Sequence, residues 1–446
     1  MPGSVPVGPD ETHDPSLRSW VAGAHAPAID FPLQNLPFGV FRRDFEERPR
    51  VGIAIGDQVL DCLAAVRAGS FEELSTVVRD ALESWSLNGL LALGRADARA
   101  VRRVASRMLR ADTTEGTRAQ TMRDALLVGM EHVSMLVPAE VGDYSDFYAS
   151  MYHAMHVGAM FRPESPLLPN YKYVPVGYHG RASSIVASGT AVHRPRGQMR
   201  PDAAVPPVFG PSQSLDYELE IGALVCGENA VGVTVPLAGA EERLFGLTLL
   251  NDWSARDIQS WEYQPLGPFL SKNFATTVGS WVVTLDALEP FRTRAFARPD
   301  GDPAPLPYLS DPVNEARGGF DITLEVRLRS AGMRDAGQPA TRLSLGNFAT
   351  MYWTLGQLLA HHASNGCNLR PGDLLGSGTV SGPGKDSRGC LLELASRGAE
   401  PVALPSGETR AFLADGDEVI FRGWCERPGA ARIGFGECRG EVLASQ

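Results

Sequence analysis

The stretch that most constrains the fold is LDYELEIGALVCG, residues 215–227. Because successive side chains of a β-strand point to opposite faces, its first half places Asp216, Glu218 and Glu220 on one face and apolar side chains on the other. Its second half, residues 221–226, is almost continuously apolar, which is typical of a central strand covered on both faces. The sequence therefore predicts a β-sheet domain with several carboxylates in its interior.

Carboxylates two residues apart on a covered strand face repel each other, and burial makes that repulsion costly. A hard divalent cation would remove the cost, since Mg²⁺ and Ca²⁺ prefer carboxylate oxygens as ligands. The alternative is an ordinary solvated strand face, on which acidic side chains need no partner. Both interpretations stay open at this point, with Glu218 and Glu220 as candidate metal ligands.

Turn-forming residues also predict a β-rich protein. The 446 residues include 47 glycines and 33 prolines, a share well above the roughly 12% of average proteins. Residues 320–329 show the clearest period of two, with Ile322, Leu324 and Val326 on one face and charged side chains on the other. That pattern predicts an antiparallel strand with one buried face.

Charge and cysteine usage exclude several classes of protein. The net charge of −11 argues against binding to nucleic acid or to an anionic membrane, because both need a positive surface. Six cysteines without a C-x-x-C pair disfavour a disulfide framework and a thiolate zinc site. The first 30 residues contain no signal-peptide core, and no run reaches the roughly 18 apolar residues of a spanning helix. We expect a cytoplasmic protein.

The chain also shows where its parts divide. Residues 1–30 are rich in Pro, Gly and Asp, which predicts a loosely ordered arm. Residues 51–62 alternate around Gly56-Asp57 and predict a hairpin. Residues 71–110 have helical periodicity, and the polar residues 111–120 predict a linker.

Two further clusters of reactive side chains stand out. In residues 142–162, a helical conformation would put Asp146 and His153 on one face, with His156 three residues further on. The alternative is that each histidine is an ordinary core or surface group. Residues 251–277 combine acidic, basic and aromatic side chains at a density unusual for a core. The alternative there is a salt-bridged surface helix.

Seven motifs are spread over nearly the whole chain. They are DFPLQNLPFGVF, GDYSDFY, VPVGYHGRASS, LDYELE, NDWSARDIQSWEYQPLGPFLSKNFATT, HHASNGCNLRPGDLLGSGT and RIGFGECRG. Together they resemble the fumarylacetoacetate hydrolase family, in the branch with an N-terminal domain that the wider superfamily usually lacks.

The resemblance implies a metal site, a general base and a set of substrate-binding groups. The base would be His153, oriented by Glu393, and Arg256 and Lys272 would handle negative charge. The implied metal-site positions are Asp146, Glu218, Glu220, Asp252, Lys272 and Thr276, of which Thr276 lies near a second-cation position. The implied catalytic positions are His153, Glu393, Arg256 and Lys272, and the implied substrate positions are Tyr148, Arg162, Gln259, Tyr263 and Thr379. The chain departs from the family pattern at Met151-Tyr152 and in GPGKDSRG before Glu393, so the placement of Glu393 depends most on the resemblance.

The resemblance also implies an architecture and a reaction. The fold would be mainly β with some α: an N-terminal arm over 1–30, a small SH3-like barrel with a helical segment over 31–138, and a catalytic mixed β-sandwich roll over 139–446. The enzyme would be a homodimer that uses Mg²⁺ or Ca²⁺ to hydrolyse the β-diketone 4-fumarylacetoacetate to fumarate and acetoacetate in tyrosine and phenylalanine catabolism. The alternatives are an acylpyruvate hydrolase or dioxo-acid hydratase of the same superfamily, or an inactive metal-binding scaffold.

Overall fold

A computed structural model describes residues 8–44, 48–202 and 204–446. The protein is mainly β with some α, as the sequence predicts. Residues 1–7 of the predicted arm lie outside the described residues. Among those described, no helix combines the length and the apolar character needed to cross a bilayer.

The predicted hairpin and helices near the N-terminus are confirmed. Strands Arg50–Ile55 and Gln58–Asp61 pair antiparallel around Gly56, whose φ of +60° is the left-handed conformation that glycine adopts without strain. Helices between residues 62 and 109 pack their leucines and valines onto this sheet in one hydrophobic core. Helix Cys62–Arg67 lies against the strands and the following helices pack successively on one another, which covers their apolar faces.

The predicted linker is wrong. Residues 111–120 fall largely within helix Thr114–Thr121, which begins where the Thr113 side chain accepts a hydrogen bond from the Gly116 N–H. Ala119 is buried and the polar side chains beside it are exposed. A short helix with so small a buried face has nearly the composition of a linker, so composition alone misses it.

The loosely ordered arm is also wrong for residues 8–30. Asp10 caps a 3₁₀ turn, and Thr12 and His13 are buried. Arg102 donates to the Thr12 hydroxyl, and His13 Nε2 donates to the Asp286 carbonyl at 2.7 Å. Polar side chains usually favour solvent, but here they form buried hydrogen bonds that hold the segment to the rest of the protein.

The central feature is a 13-stranded sheet that runs through both predicted domains. Strand Phe38–Arg43 joins the N-terminal strands to Trp281–Thr284, with Phe38 opposite Val282. The sheet continues through Leu244–Asp252 and Leu219–Val225, two strands buried at every position. The predicted central, covered strand is therefore confirmed over residues 219–225. The division into 31–138 and 139–446 stays a prediction.

A second, five-stranded sheet packs against the first. Its strand Thr323–Arg329 pairs antiparallel with Thr341–Asn347 and Glu418–Cys425. The apolar face that the sequence predicts there is buried, with Ile322, Leu324, Val326 and Leu328 fully covered. The two sheets enclose the largest hydrophobic core of the protein.

The helices and strands have the following bounds. The α-helices are Cys62–Arg67, Thr76–Leu82, Asn88–Leu93, Arg95–Leu109, Thr114–Thr121, Arg123–Leu126, Met151–Phe161, Leu237–Ala240, Arg256–Glu262, Pro312–Arg317, Ala331–Asp335, Leu355–His362 and Leu391–Leu394. The strands are Phe38–Arg43, Arg50–Ile55, Gln58–Asp61, Leu127–Gly129, Val133–Met135, Tyr144–Phe147, Gly177–Gly180, Ile185–Ala187, Val192–His193, Arg196–Met199, Val208–Pro211, Leu215–Asp216, Leu219–Val225, Leu244–Asp252, Ser254–Ala255, Thr276–Val278, Trp281–Thr284, Arg292–Thr293, Gly319–Phe320, Thr323–Arg329, Thr341–Asn347, Leu374–Gly376, Val402–Ala403, Thr409–Arg410, Glu418–Cys425 and Ile433–Leu443.

Candidate active site

Four carboxylates meet at one edge of the central sheet. Asp146, Glu218, Glu220 and Asp252 each offer an oxygen, and these oxygens all lie within 4.8 Å of one another. All four side chains are buried. The sheet itself places them, because neighbouring strands carry Glu220 and Asp252, and Gly376 links Asp146 to the same edge. We call this group the carboxylate cluster.

Asp146 reaches the cluster from a strand. It belongs to Tyr144–Phe147, which pairs in parallel with Leu374–Gly376, whereas the helix that carries His153 begins only at Met151. A single helix containing both residues is therefore wrong. The short turn between strand and helix lets Asp146 enter the sheet edge while His153 comes from a different element.

Glycines allow the carboxylates to approach the backbone. A Cβ at Gly376 would lie 2.3 Å from Asp146 Oδ1, so no larger residue fits there. Gly378, with a φ of +76°, donates its N–H to Asp146 Oδ1 at 3.1 Å and to Glu220 Oε2 at 3.0 Å. The Ser-Gly-Thr turn thus forms one wall of the cluster.

Two cations compensate only one side of the cluster. Lys272 Nζ donates to Glu218 and, at 2.6 Å, to Asp252. Arg256 Nη1 donates to Glu218 at 2.7 Å. Although burial alone would raise it, these two cations lower the pKa of Glu218 to about 2. Glu218 is therefore ionised at any physiological pH.

Asp146 and Glu220 form no ion pair with a cation among the described residues, although the Lys272 charge partly offsets the rise in the pKa of Asp146. Burial and the neighbouring carboxylates raise the pKa of both groups well above the ordinary range. Glu220 Oε1 is buried and finds no hydrogen-bond partner among the described residues. An unpartnered carboxylate oxygen in an all-oxygen set fits a hard divalent cation, so the residues present are suited to a metal ion.

Lys272, Thr276 and Tyr178 surround Asp252. The Lys272 ammonium is buried, and although burial alone would lower it, the Asp252 and Glu218 carboxylates raise its pKa. A protonated amine cannot ligate a cation, so this geometry favours Lys272 as a counter-charge. Thr276 Oγ1 donates to Asp252 at 3.3 Å, and Tyr178, which the sequence interpretation missed, donates at 2.7 Å. Its motif VPVGYHGRASS was the available signal.

A histidine–glutamate pair lies next to the carboxylate cluster. Ser150 caps the helix Met151–Phe161 by accepting from the His153 N–H, and His153 Nδ1 lies 2.6 Å from Glu393 Oε2. His153 is also close enough to Glu218 to contribute to the lowering of its pKa. Although burial alone would raise it, His153 and other hydrogen-bond donors hold the pKa of Glu393 well below its usual range.

Glu393 is held in place from several directions. It belongs to the short helix Leu391–Leu394, whose Leu391 and Leu392 N–H groups donate to Asp216. Asp216 in turn accepts from Arg256 Nε at 2.9 Å. The divergent loop before Glu393 thus does not displace this carboxylate from His153. Asp216, which strand alternation singled out without a role, connects the helix to Arg256.

Of the five predicted substrate residues, three lie beside these groups. The Tyr148 ring packs edge-on against His153, with centroids 5.1 Å apart. Gln259 accepts from Arg256 at 3.2 Å. Thr379 directly follows Gly378, and its buried hydroxyl has no partner among the described residues, so it is available to a ligand.

The other two predicted substrate residues, Tyr263 and Arg162, are more exposed. Tyr263 is 44% exposed at the end of helix Arg256–Glu262. Arg162 is exposed at the end of its own helix and donates to the Pro166 carbonyl at 3.2 Å. No hydrogen bond or ion pair among the described residues joins either of them to the carboxylate cluster, so their role in substrate binding stays a prediction.

Comparison with known proteins identifies the family of the chain. The family profile for the fumarylacetoacetate (FAA) hydrolase C-terminal region matches residues 144–443, and the profile for the fumarylacetoacetase N-terminal region matches residues 34–138. The chain belongs to the fumarylacetoacetate hydrolase family. Both profiles of the family together cover most of the chain, including the strands that carry the carboxylate cluster and the helix that carries His153.

Relatives within the family match over almost their full length. Fumarylacetoacetase of Bos taurus is 48% identical over 415 residues, which is 93% of this chain and 96% of that protein. Fumarylacetoacetase of Arabidopsis thaliana is 48% identical over 416 residues, with the same coverage. Fumarylacetoacetase of Caenorhabditis elegans is 49% identical over 419 residues, again 93% and 96%.

Proposed function

We propose that this protein hydrolyses 4-fumarylacetoacetate to fumarate and acetoacetate by cleaving a carbon–carbon bond of the β-diketone. The observation that carries the proposal is the juxtaposition of a buried His153–Glu393 pair with a buried four-carboxylate cluster. That juxtaposition occurs in a chain 48% identical to fumarylacetoacetases over 93% of its length.

His153 is the proposed general base. Glu393 is ionised and can only accept, so it fixes the tautomer in which Nδ1 carries the hydrogen and Nε2 is free to take a proton from water. The Glu393 charge then stabilises the imidazolium that forms. General-base catalysis of this kind contributes about 10²- to 10⁴-fold in rate.

The carboxylate cluster is the proposed metal site, with Mg²⁺ or Ca²⁺ as its ion. Asp146, Glu218, Glu220 and Asp252 would be the ligands, and Thr276 would border a second cation. Protonated Lys272 would be the counter-charge of Glu218 and Asp252, not a ligand. A bound divalent ion supplies Lewis acidity toward the diketone oxygens. The unpartnered Glu220 oxygen and the absence of sulfur from the cluster support a hard cation.

The remaining predicted residues orient the substrate and meet developing charge. Cleavage leaves an enolate on the acetoacetate half, and Arg256, Gln259 and Lys272 are the donors proposed to stabilise it. Tyr148 and Thr379 are proposed to contact the substrate beside the base. Arg162 and Tyr263 are proposed to bind the substrate at the rim, where an exposed cation can attract a carboxylate.

The test is turnover of fumarylacetoacetate by purified protein, with and without a chelator. We expect loss of the substrate's ultraviolet absorbance together with stoichiometric acetoacetate, and loss of the rate after chelation that Mg²⁺ or Ca²⁺ restores. Faster turnover of an acylpyruvate, or hydration of a dioxo acid, would assign the chain to a related reaction. No turnover of any of these would leave a metal-binding scaffold.

We also propose a cytoplasmic homodimer acting in tyrosine and phenylalanine catabolism. All six cysteines are free thiols, which suits a reducing compartment. Leu266, Phe269 and Phe209 are 97%, 67% and 66% exposed, which is costly for a monomer and supports burial against a second copy. Light scattering of the wild type and of Leu266→Glu tests the dimer, because the wild type should have the mass of two chains and the variant a lower mass. A wild type with the mass of one chain would contradict the dimer.

A further inference from the structure

The Glu393 carboxylate accepts hydrogen bonds on both oxygens. Oε2 accepts from His153 Nδ1 at 2.6 Å, from Ser381 Oγ at 2.8 Å and from Cys390 Sγ at 3.2 Å. Oε1 accepts from His156 Nδ1 at 2.8 Å. Three donors therefore serve the oxygen that faces the base, while among the described residues a single imidazole serves the other.

His153 and His156 reach Glu393 from one helix face. They are three residues apart in Met151–Phe161, a spacing that places side chains on the same face. Ser150 caps this helix at the His153 N–H, which holds the backbone that carries both imidazoles. The Glu393 carboxylate lies between the two imidazoles and accepts a hydrogen bond from each of them, one on each oxygen.

The two histidines differ in exposure. The His153 side chain is 3% exposed and the His156 side chain 20%. His156 thus closes the more open side of a carboxylate that is otherwise fully buried. Without a donor there, water could reach Oε1 and the carboxylate could rotate, which would misalign Oε2 with the base.

We propose that His156 is a positioning residue for the general base: its Nδ1–H holds Glu393 Oε1, so that Oε2 stays on His153. The inference rests on the proposed function, because it assigns a role in that same reaction. His156 acts through Glu393, and within the described part of the chain it makes no hydrogen bond or ion pair with the carboxylate cluster. Its contribution therefore falls on turnover and leaves substrate binding unchanged.

The test compares two variants of the metal-loaded enzyme. His156→Ala removes the donor, whereas His156→Asn keeps an amide N–H close to the position of Nδ1. We expect His156→Ala to lower kcat about tenfold, as for a lost hydrogen bond to a charged group, with KM within about twofold. His156→Asn should restore kcat to within about threefold of wild type. His132→Asn, the same substitution at an exposed histidine without a bond to Glu393, is the matched control.

A double variant distinguishes positioning from general packing. In a Glu393→Gln background, adding His156→Ala should lower kcat by less than about twofold, because the group through which His156 acts has already been altered. If His156→Ala folds poorly, His156→Leu replaces it, since leucine fills the volume without a donor. Thermal midpoints of all variants identify such a case.

The outcomes separate this inference from the proposed function. An active wild type with an equally active His156→Ala overturns the inference alone, as does a His156→Asn variant no better than His156→Ala. Multiplicative losses in the Glu393→Gln background also overturn it. A wild type that does not turn over fumarylacetoacetate refutes the proposed function, and this inference with it.

Discussion

Two groups of buried charge lie side by side in the site, and they differ in how completely they are compensated. Around Glu393, four donors satisfy both carboxylate oxygens, and the pKa of this acid is held below its usual range. In the carboxylate cluster, Glu220 keeps an unpartnered oxygen, and its pKa lies well above the usual range.

The difference indicates what each group is suited to do. A fully hydrogen-bonded acid is preorganised, so it can stabilise a neighbouring imidazolium without moving. Buried carboxylates with too few hydrogen-bond donors repel one another, which destabilises the metal-free protein. A bound cation would relieve this repulsion, and that relief would contribute to the binding free energy of the metal. The same residue type is therefore suited to two different proposed roles, because the number of surrounding donors differs.

The largest expected effect is on the His153–Glu393 pair. His153→Ala should reduce turnover about 10²- to 10⁴-fold, since the proton acceptor is lost, with little change in the binding of a non-reacting substrate analogue. Glu393→Gln should also lower turnover strongly. Because the two act as one unit, the double variant should be little worse than the poorer single one. Multiplicative losses in steady-state kinetics would mean that the pair acts independently.

Lys272→Met should have the next largest effect, on stability, because it removes a positive charge that partly neutralises the carboxylate cluster. It leaves Glu218 and Asp252 without their shared ammonium, and breaking a buried ion pair costs about 3–5 kcal/mol of unfolding free energy. Urea unfolding of the metal-free protein measures this, and added Mg²⁺ should reduce the loss. Lys385→Met, at an exposed lysine paired with Glu400, should change stability by less than about 1 kcal/mol. Equal effects of the two variants would contradict the comparison.

Glu220→Gln should have the opposite effect and increase the free energy of unfolding of the metal-free protein. Replacing this buried carboxyl by a neutral amide removes the cost of either protonating it or leaving it charged in the folded state. The unfolding free energy should therefore rise by about 1–3 kcal/mol at neutral pH, the cost of a buried unsatisfied group, while metal binding weakens. Because the raised pKa means that folded Glu220 binds a proton that unfolded Glu220 has lost, wild-type stability falls as pH rises above the ordinary carboxyl value of 4.5. The advantage of the variant should therefore grow from pH 4.5 to 8, and a constant advantage would contradict this cause.

Ser381→Ala should have the smallest effect and tests how much the donors of Glu393 matter individually. The Ser381 hydroxyl is one of three donors to Oε2, so its loss should lower kcat only about threefold, near the value of one ordinary hydrogen bond. Ser364→Ala, at an exposed serine after helix Leu355–His362, serves as the control. A loss as large as that of Glu393→Gln would show that this hydroxyl has another role.

The local parts of this arrangement could be predicted from the sequence. Strand alternation over residues 215–227 predicts Glu218 and Glu220 on the face opposite the apolar side chains, and Glu220 does lie in strand Leu219–Val225. The predicted strand is interrupted at residues 217–218, so Glu218 precedes this strand and does not belong to it. The repulsion between the two carboxylates indicated a cation. The Gly56 hairpin and the apolar face of residues 320–329 were predictable for the same reason, as each pattern repeats over a few neighbouring residues.

The parts that depend on distant pairing could not be predicted. Asp146 joins the cluster through a strand, and only its parallel pairing with Leu374–Gly376 decides that. The asymmetry between Glu218 and Glu220 depends on where the Lys272 ammonium lies, which no local period encodes. Likewise, the segment near residues 8–30 looked unstructured because its polar side chains find buried partners far along the chain.

The pairing of Gly378 with the cluster also has a consequence for biosynthesis. Gly378 lies 232 residues from Asp146 and 158 residues from Glu220 along the chain. Such high contact order slows folding, because the entropy of closing long loops is lost before the contacts form. A nascent chain that ends before residue 378 would contain the acidic strands but not the backbone N–H that donates to Asp146 and Glu220. We therefore expect ribosome-bound chains to acquire metal affinity only after Gly378 has emerged from the ribosome.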